Sequence, residues 1–229
     1  TISGGMALTE DTANTWEKLT GNNIVEGYGL TETSPIVTSN DPKNPQKNTI
    51  GVALPRTELK VINLDGETLP SGEAGELCVR GPQVMLGYWQ RPEATAEVLS
   101  IEGWLRTGDI ATIEDNGYVR IVDRKKDMII VSGFNVYPNE VENILVGHSD
   151  ILEAAVIGVP NDISGEVVKA FIVKTQGSTL DFEAIRVFCK LSLTSYKVPK
   201  LYEFRDELPK TNVGKVLRRE LRDPARDNV

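Results

Sequence analysis

GWLRTGDIATIEDNGYVRIVDRKK, residues 103–126, sets an acidic residue, a tight hairpin and a basic run in fixed register. Alternation of apolar and polar residues over 110–114 and 118–122 reads as two strands. Asn116-Gly117 between them predicts a tight turn with positive φ at both central positions. Asp109 follows Thr107 and Gly108, which places its carboxylate on a turn, where two oxygens can accept hydrogen bonds from the two hydroxyls of a ribose. Arg124 lies fifteen residues after Asp109, and the intervening hairpin brings both to one end of the ladder, where they can grip a ribose from two sides. Asp123 to Lys126 then close the ladder with four consecutive charges, a pattern that taken alone reads as a solvated loop.

Upstream, residues 12–19 are weakly helical and break at Thr20-Gly21, before a strand-like 23–26 feeds Gly27 and the turn YGLTE (28–32). Short alternating runs at 58–64 and 75–80 are separated by Asp65-Gly66 and Pro70-Ser71-Gly72, the pattern of a small sheet or barrel. Residues 92–99 fit one short helix with proline in its first turn. After Lys126 helices and strands alternate. Pro138 opens a helix with Val141, Ile144 and Leu145 on one face, 154–159 and 167–174 read as buried strands, and Phe182, Ile185, Phe188 and Cys189 mark a second helix face. A third helix is expected over 216–221. The fold class is therefore α/β and α+β: a barrel-like region over 1–122, a hinge at 123–126 and a small α+β domain over 127–229. No internal repeat or low-complexity segment interrupts this pattern.

With 229 residues, 40% of them hydrophobic, the chain has ample material for buried cores. Its 25 basic against 33 acidic side chains, a net charge of −8, argue against nucleic acid as the main partner, while local basic patches can still bind phosphates. Cys78 and Cys189 alone imply neither a disulfide framework nor a zinc site and fit a reducing, cytoplasmic setting. No apolar run approaches the length that spans a bilayer, and the chain opens on no signal-peptide pattern. The opening TISGGM reads as the middle of a strand-to-turn segment, which predicts a piece of a longer protein.

Four motifs in one order, YGLTE (28–32), GWLRTGD (103–109), DRKKDMIIVSGFNVYPNEVE (123–142) and PKTNVGK (209–215), resemble the adenylate-forming acyl-CoA synthetase superfamily. Within it, 103–126 resembles the signature of fatty acyl-CoA synthetases, and GPQVMLGYWQRPEAT (81–95) is most similar to bacterial long-chain members. The resemblance covers nearly the whole chain and implies the end of a large AMP-binding domain followed by a mobile lid. That superfamily's upstream TSGTTGxPK-like phosphate loop has no counterpart here, so the chain alone is expected to be incomplete and inactive.

Adenylation makes a carboxylic acid reactive by joining it to the α-phosphate of ATP, which calls for charge neutralisation and in-line positioning. Tyr28 offers a flat face for adenine, with Gly27 and Gly29 admitting close backbone approach; a plain core tyrosine is the alternative. Thr31 suits a phosphate or acyl oxygen, and Glu32 is a hard ligand for Mg2+ shared with phosphates, although such a pair elsewhere caps a helix. Gly4 and Gly5 resemble the glycine turn along the nucleotide and acyl groove, or form a simple turn. The resemblance implies that Arg124 contacts ribose or phosphate, that Lys126 is the hinge, and that Lys215 inserts its ammonium between acid and α-phosphate as the catalytic residue. Lys125 reads as a surface lysine. The loop VSGFNVYP (131–138) resembles the segment that lines the pantetheine channel of CoA, with Gly133 leaving room for that arm. Ile130 stands where many members carry lysine, and His148 reads as a helix C-cap rather than a catalyst.

The expected reaction is ATP-dependent adenylation of a long-chain fatty acid followed by thioester formation with CoA, releasing pyrophosphate and AMP. Fatty acid, ATP and CoA are the expected partners, Mg2+ the expected metal, and a cytoplasmic enzyme peripheral on the inner face of the membrane the expected setting. The alternatives are a medium-chain or aryl acid ligase, and an isolated nucleotide- or CoA-binding domain without catalysis.

Overall fold

The computed structural model describes every residue except 6, 7, 9, 213 and 223–229. The chain divides into two compact units, Thr1–Lys125 and Lys126–Val229.

The first unit runs β1 (Ile2–Ser3), α1 (Glu10–Thr20), β2 (Val25–Gly29), β3 (Ile36–Ser39), β4 (Val52–Ala53), β5 (Glu58–Ile62), β6 (Gly75–Arg80), α2 (Pro92–Val98), β7 (Leu105–Ile113) and β8 (Val119–Arg124). Two four-stranded sheets result, ordered β1-β2-β3-β4 and β5-β6-β7-β8. They are joined where Ile50 N donates to Val119 O and Val119 N to Gly51 O, both at 2.9 Å. The barrel-like pattern is thus realised as two open sheets linked at an edge. Val37, Val61, Leu77, Val79, Ala111 and Val119 form one buried cluster against which Tyr28 packs. In β6 burial is nearly continuous rather than alternating, so Glu76 is buried along with its apolar neighbours.

The β7–β8 hairpin departs from expectation at its turn. Gly117 has φ of 84° while Asn116 is not in the positive region. Gly117 N donates to Glu114 O, Glu114 N to Tyr118 O, and Tyr118 N to the Asn116 side chain. The loop is therefore a three-residue turn with glycine in the left-handed position, because Asn116 spends its side chain on the local backbone instead of adopting positive φ. The two-residue turn with both φ values positive occurs instead at Ser132 and Gly133, 51° and 83°.

That second turn joins β9 (Ile129–Val131) to β10 (Phe134–Val136), so the start of the VSGFNVYP segment is a hairpin rather than a loop. The second unit continues through α3 (Pro138–Val146), β11 (Ile151–Asn161), β12 (Gly165–Lys174), α4 (Phe182–Lys190), β13 (Leu201–Phe204) and α5 (Arg218–Arg222), two residues later than the helix expected from 216. β12 is central: it pairs antiparallel with β11 and β9 and parallel with β13. Alternation along β12 sends Val168, Ala170 and Ile172 to one core with Val141, Leu145, Ile185 and Cys189. Phe171 and Val173 go to the other face with Leu208 and Leu221. The second core thereby anchors the segment around α5. His148 corrects a smaller expectation: Gly147 is the C-cap of α3, and His148 Nδ1 accepts from Asp150 N at 3.1 Å, closing the following turn.

Candidate active site

Strand register sets the first cluster. Asp109 stands opposite Arg124 in the β7–β8 ladder, with Arg124 Nε 3.7 Å from Asp109 Oδ1. Tyr28 Oη donates to Asp109 Oδ2 at 2.6 Å. Asp109 lies within β7, not on a turn, and is buried; Gly108 just before it has φ of 72°, which bends the strand there. Asp109 N donates to Thr107 Oγ1, whose hydroxyl donates to Leu77 O at 2.8 Å. The carboxylate is thus fixed by a phenol on one oxygen and a guanidinium beside the other. Burial, and then the charge of Asp109, push the Tyr28 phenol well above its ordinary range, which keeps the hydroxyl protonated and donating. Tyr28 therefore has a role at its hydroxyl beyond the flat face that sequence suggested.

Glycines shape the wall beside it. Gly27 and Gly29 both lie within β2, so the strand extends into what sequence reads as a turn. A Cβ at Gly29 would collide with the Pro35 carbonyl, and one at Gly27 would sit 3.2 Å from Thr38 O. Gly4 faces Gly27 O in the same way, at 3.1 Å, and Gly5 has φ of 85°. Thr31 begins a 3-10 turn over Thr31–Thr33 and is exposed. Buried Thr33, missed in sequence, holds that turn: its Oγ1 accepts from Leu30 N and lies 2.8 Å from Pro35 O. Its position before Ser34-Pro35, where a short side chain can reach back to the backbone, is the signal that could have found it.

Glu32 faces a cavity of about 190 Å³ whose lining includes Leu30, Glu76, Tyr88, Thr107 and Lys125. Its backbone oxygen accepts from Met85 N at 2.8 Å and its Oε1 from Tyr88 Oη at 2.8 Å. Lys125 is not a plain surface lysine: its Nζ lies 2.8 Å from Oε2 of buried Glu76. Asp123 is buried at the end of β8, while Arg124 and Lys126 are exposed, so the charge run is strand and 3-10 turn with only part of it facing solvent. Among the described residues no group of three or more His, Cys, Asp or Glu side chains forms a metal cluster. Glu32 shares this cavity wall with Glu76 and Glu97, and a carboxylate so placed fits Mg2+ held largely by phosphate oxygens.

In the second unit, Lys126 is exposed on the 3-10 turn Lys125–Asp127, and Gly133 is at the tip of the β9–β10 hairpin with open space where a Cβ would point. Exposed Ile130 leaves that strand position without a cation. Lys215 is half-buried in a loop closed on itself. Thr211 N donates to Lys215 O at 2.8 Å, Lys215 N to Thr211 Oγ1 at 3.1 Å, and Gly214 N to Thr211 O at 2.8 Å. Val213 of the PKTNVGK motif lies outside the described residues. The structure thus brings Tyr28, Asp109 and Arg124 together in one unit, and gives Lys215 and Gly133 defined turns in the other.

Residues 1–89 match the model of the AMP-binding enzyme family, and residues 140–215 that of the AMP-binding enzyme C-terminal domain. A long-chain-fatty-acid–CoA ligase of Yersinia pestis is 58% identical over 224 residues, 97% of this chain and 39% of that protein. One from Escherichia coli O6:H1 is 56% identical, over 99% of this chain and 40% of the relative. The chain thus spans about two fifths of the length of the curated relatives it matches. The crystal structure of ATP-bound MatB from Rhodopseudomonas palustris superposes with a TM-score of 0.91 at 38% identity, covering 99% of this chain and 45% of that one. With both family models matched in order, together over more than half of its length, the chain belongs to the AMP-binding enzyme family.

Proposed function

We propose that the chain is part of an acid–thiol ligase that activates a long-chain fatty acid with ATP and passes the acyl group to CoA. The fatty-acid carboxylate attacks the α-phosphate and pyrophosphate leaves; the CoA thiolate then attacks the acyl carbon and AMP leaves. The observation that carries this reading is the fixed carboxylate of Asp109, held between Tyr28 and Arg124. Such a carboxylate accepts hydrogen bonds from ribose hydroxyls, as the nucleotide half of the reaction requires.

In this reading Asp109 and Arg124 hold the ribose, Gly4, Gly27 and Gly29 let neighbouring backbone close up into the wall beside the nucleotide, Gly5 turns the chain along it, and Thr31 contacts phosphate. Glu32 would hold Mg2+, which when bound neutralises phosphate charge. Lys215 supplies an ammonium to the reacting carboxylate and α-phosphate, Lys126 is the pivot of the small domain, and Gly133 leaves room for the pantetheine arm. Acids of this class partition into lipid, so the proposal includes a cytoplasmic enzyme peripheral to the membrane. The likeness to the two bacterial ligases supports the long-chain assignment.

Asp109→Asn in the full-length enzyme tests the nucleotide reading. The amide puts an N–H₂ where one acceptor oxygen stood, so the KM for ATP is expected to rise about tenfold or more in fatty-acid-dependent pyrophosphate exchange. An unchanged KM for ATP would remove Asp109 from the nucleotide site.

A further inference from the structure

Lys215 is three residues before Arg218, the first residue of α5, and Arg218 is held by three side chains. Arg218 Nη2 contacts Glu142 Oε2 at 2.8 Å, Glu142 Oε1 at 2.9 Å and Asn139 Oδ1 at 2.9 Å, while Nε lies 3.3 Å from Glu142 Oε1. Its Nη1 lies 3.6 Å from Asp127 Oδ2, and Arg222 Nη2 contacts the other oxygen of Asp127 at 3.1 Å. Arg218, Glu142 and Asp127 side chains are each at most 16% exposed, so these pairs are shielded from the solvent that weakens surface ion pairs. Glu142 is itself fixed, since its Oε1 accepts from Val156 N in β11 at 2.7 Å.

The other end of the loop is fastened too. Lys210 Nζ pairs with Glu153 of β11 at 2.6 Å, and Lys210 bridges to Val216 across the turn. The loop is therefore a clasped turn on β11, with Lys215 carried between the two fasteners. We propose that Arg218 is a positioning residue for Lys215: its planar fork, bound to α3 through Asn139 and Glu142 and to the 3-10 turn through Asp127, fixes where the Lys215 ammonium is presented. This rests on the reading of Lys215 as the adenylation lysine. A lysine in place of Arg218 keeps the charge but not the fork, and cannot engage three acceptors in the same plane.

The test uses the full-length enzyme and its Lys215→Ala, Arg218→Gln and Arg218→Lys variants. Adenylation is followed by fatty-acid-dependent pyrophosphate exchange, and the second step by CoA-dependent consumption of supplied acyl-adenylate. Misplacing the ammonium is expected to lower kcat for exchange by about 10- to 100-fold in both Arg218 variants. The KM for ATP and acyl transfer from supplied adenylate should stay within about threefold of the parent. Equal losses in both half-reactions, or full exchange activity in Arg218→Gln, would overturn the proposal. Should Arg218→Gln fail to fold, Asp127→Asn, which leaves the Glu142 contacts in place, decides by the same two readouts. Failure of the underlying reading is seen separately, as normal exchange in Lys215→Ala or no exchange by the parent.

Discussion

In the proposed function Asp109 receives a ribose, which requires a carboxylate held still while keeping acceptor capacity, and its contacts to Tyr28 and Arg124 provide that hold. Tyr28→Phe removes the 2.6 Å hydrogen bond while keeping the ring. A bond to a charged group contributes about 1.5–3 kcal/mol, so the KM for ATP should rise by about one order of magnitude, with kcat less affected; a KM unchanged in steady-state assays would deny the hydroxyl any part in holding Asp109. That Asp109 and Arg124 meet at one end of the ladder was legible from the hairpin between them, but their direct pairing was not, because it depends on a three-residue loop and on a register shift between Ile110 and Ala111. Tyr28 was legible only as a ring, because its hydroxyl reaches Asp109 from another sheet, 81 residues away. The cysteines make a prediction from burial. Burial pushes both Cys78 and Cys189 thiols up to about 11 from an ordinary 9.0, with Glu76 adding to the effect at Cys78. Neutral thiols thus favour the fold. Their contribution is complete below pH 9.0 and is lost as pH rises toward 11. Neither thiol should react with iodoacetamide at about pH 8 until urea unfolds the protein; rapid native labelling of either would contradict the burial.

At the scale of elements, the β6 strand explains why Lys125 was misread as a plain surface lysine. Sequence shows Lys125 among four consecutive charges, and nothing local reveals that Glu76, buried in a strand covered on both faces, needs a cation. Lys125→Met should leave that carboxylate unpaired and cost about 1–3 kcal/mol in urea unfolding, tempered by the partial exposure of the lysine. Adding Glu76→Gln should recover part of the loss; a single variant as stable as the parent would mean that water satisfies Glu76. Turn chemistry was legible as to place but not type at Asn116-Gly117, while the hairpin tip at Ser132-Gly133 was read only as part of a loop; only the second adopts two positive φ values. The choice at the first follows from an Asn116 side chain engaged with Tyr118 N. Gly29 carries a firmer constraint, since the Pro35 carbonyl occupies the place of a Cβ. Gly29→Ala should lower the midpoint of thermal unfolding by several degrees, corresponding to about 1–3 kcal/mol, the range for overpacking.

At the scale of the molecule, the periodicities of β11, β12, α3 and α4 made the α+β unit readable, because one core needs alternation on strands and a stripe on helices. The short strands β3, β4 and β13 were not readable, since two to four residues carry no period of their own and are strands only through their partners. The clasp of Arg218 was likewise hidden, because Asp127, Glu142 and Arg218 are distant in sequence and ordinary in composition. The short motifs, by contrast, were legible locally, and their residues fall on strands at Tyr28, Asp109 and Arg124 and on turns at Gly133 and Lys215; the central claim of the proposed function rests on Lys215. That claim is tested most directly by ATP–pyrophosphate exchange with short, medium and long fatty acids, using the full-length enzyme beside its Lys215→Ala variant. The account predicts exchange strongest with long acids and reduced by about 100-fold or more in the variant. Exchange at the parental rate in the variant, or none with any fatty acid in the parent, would contradict it.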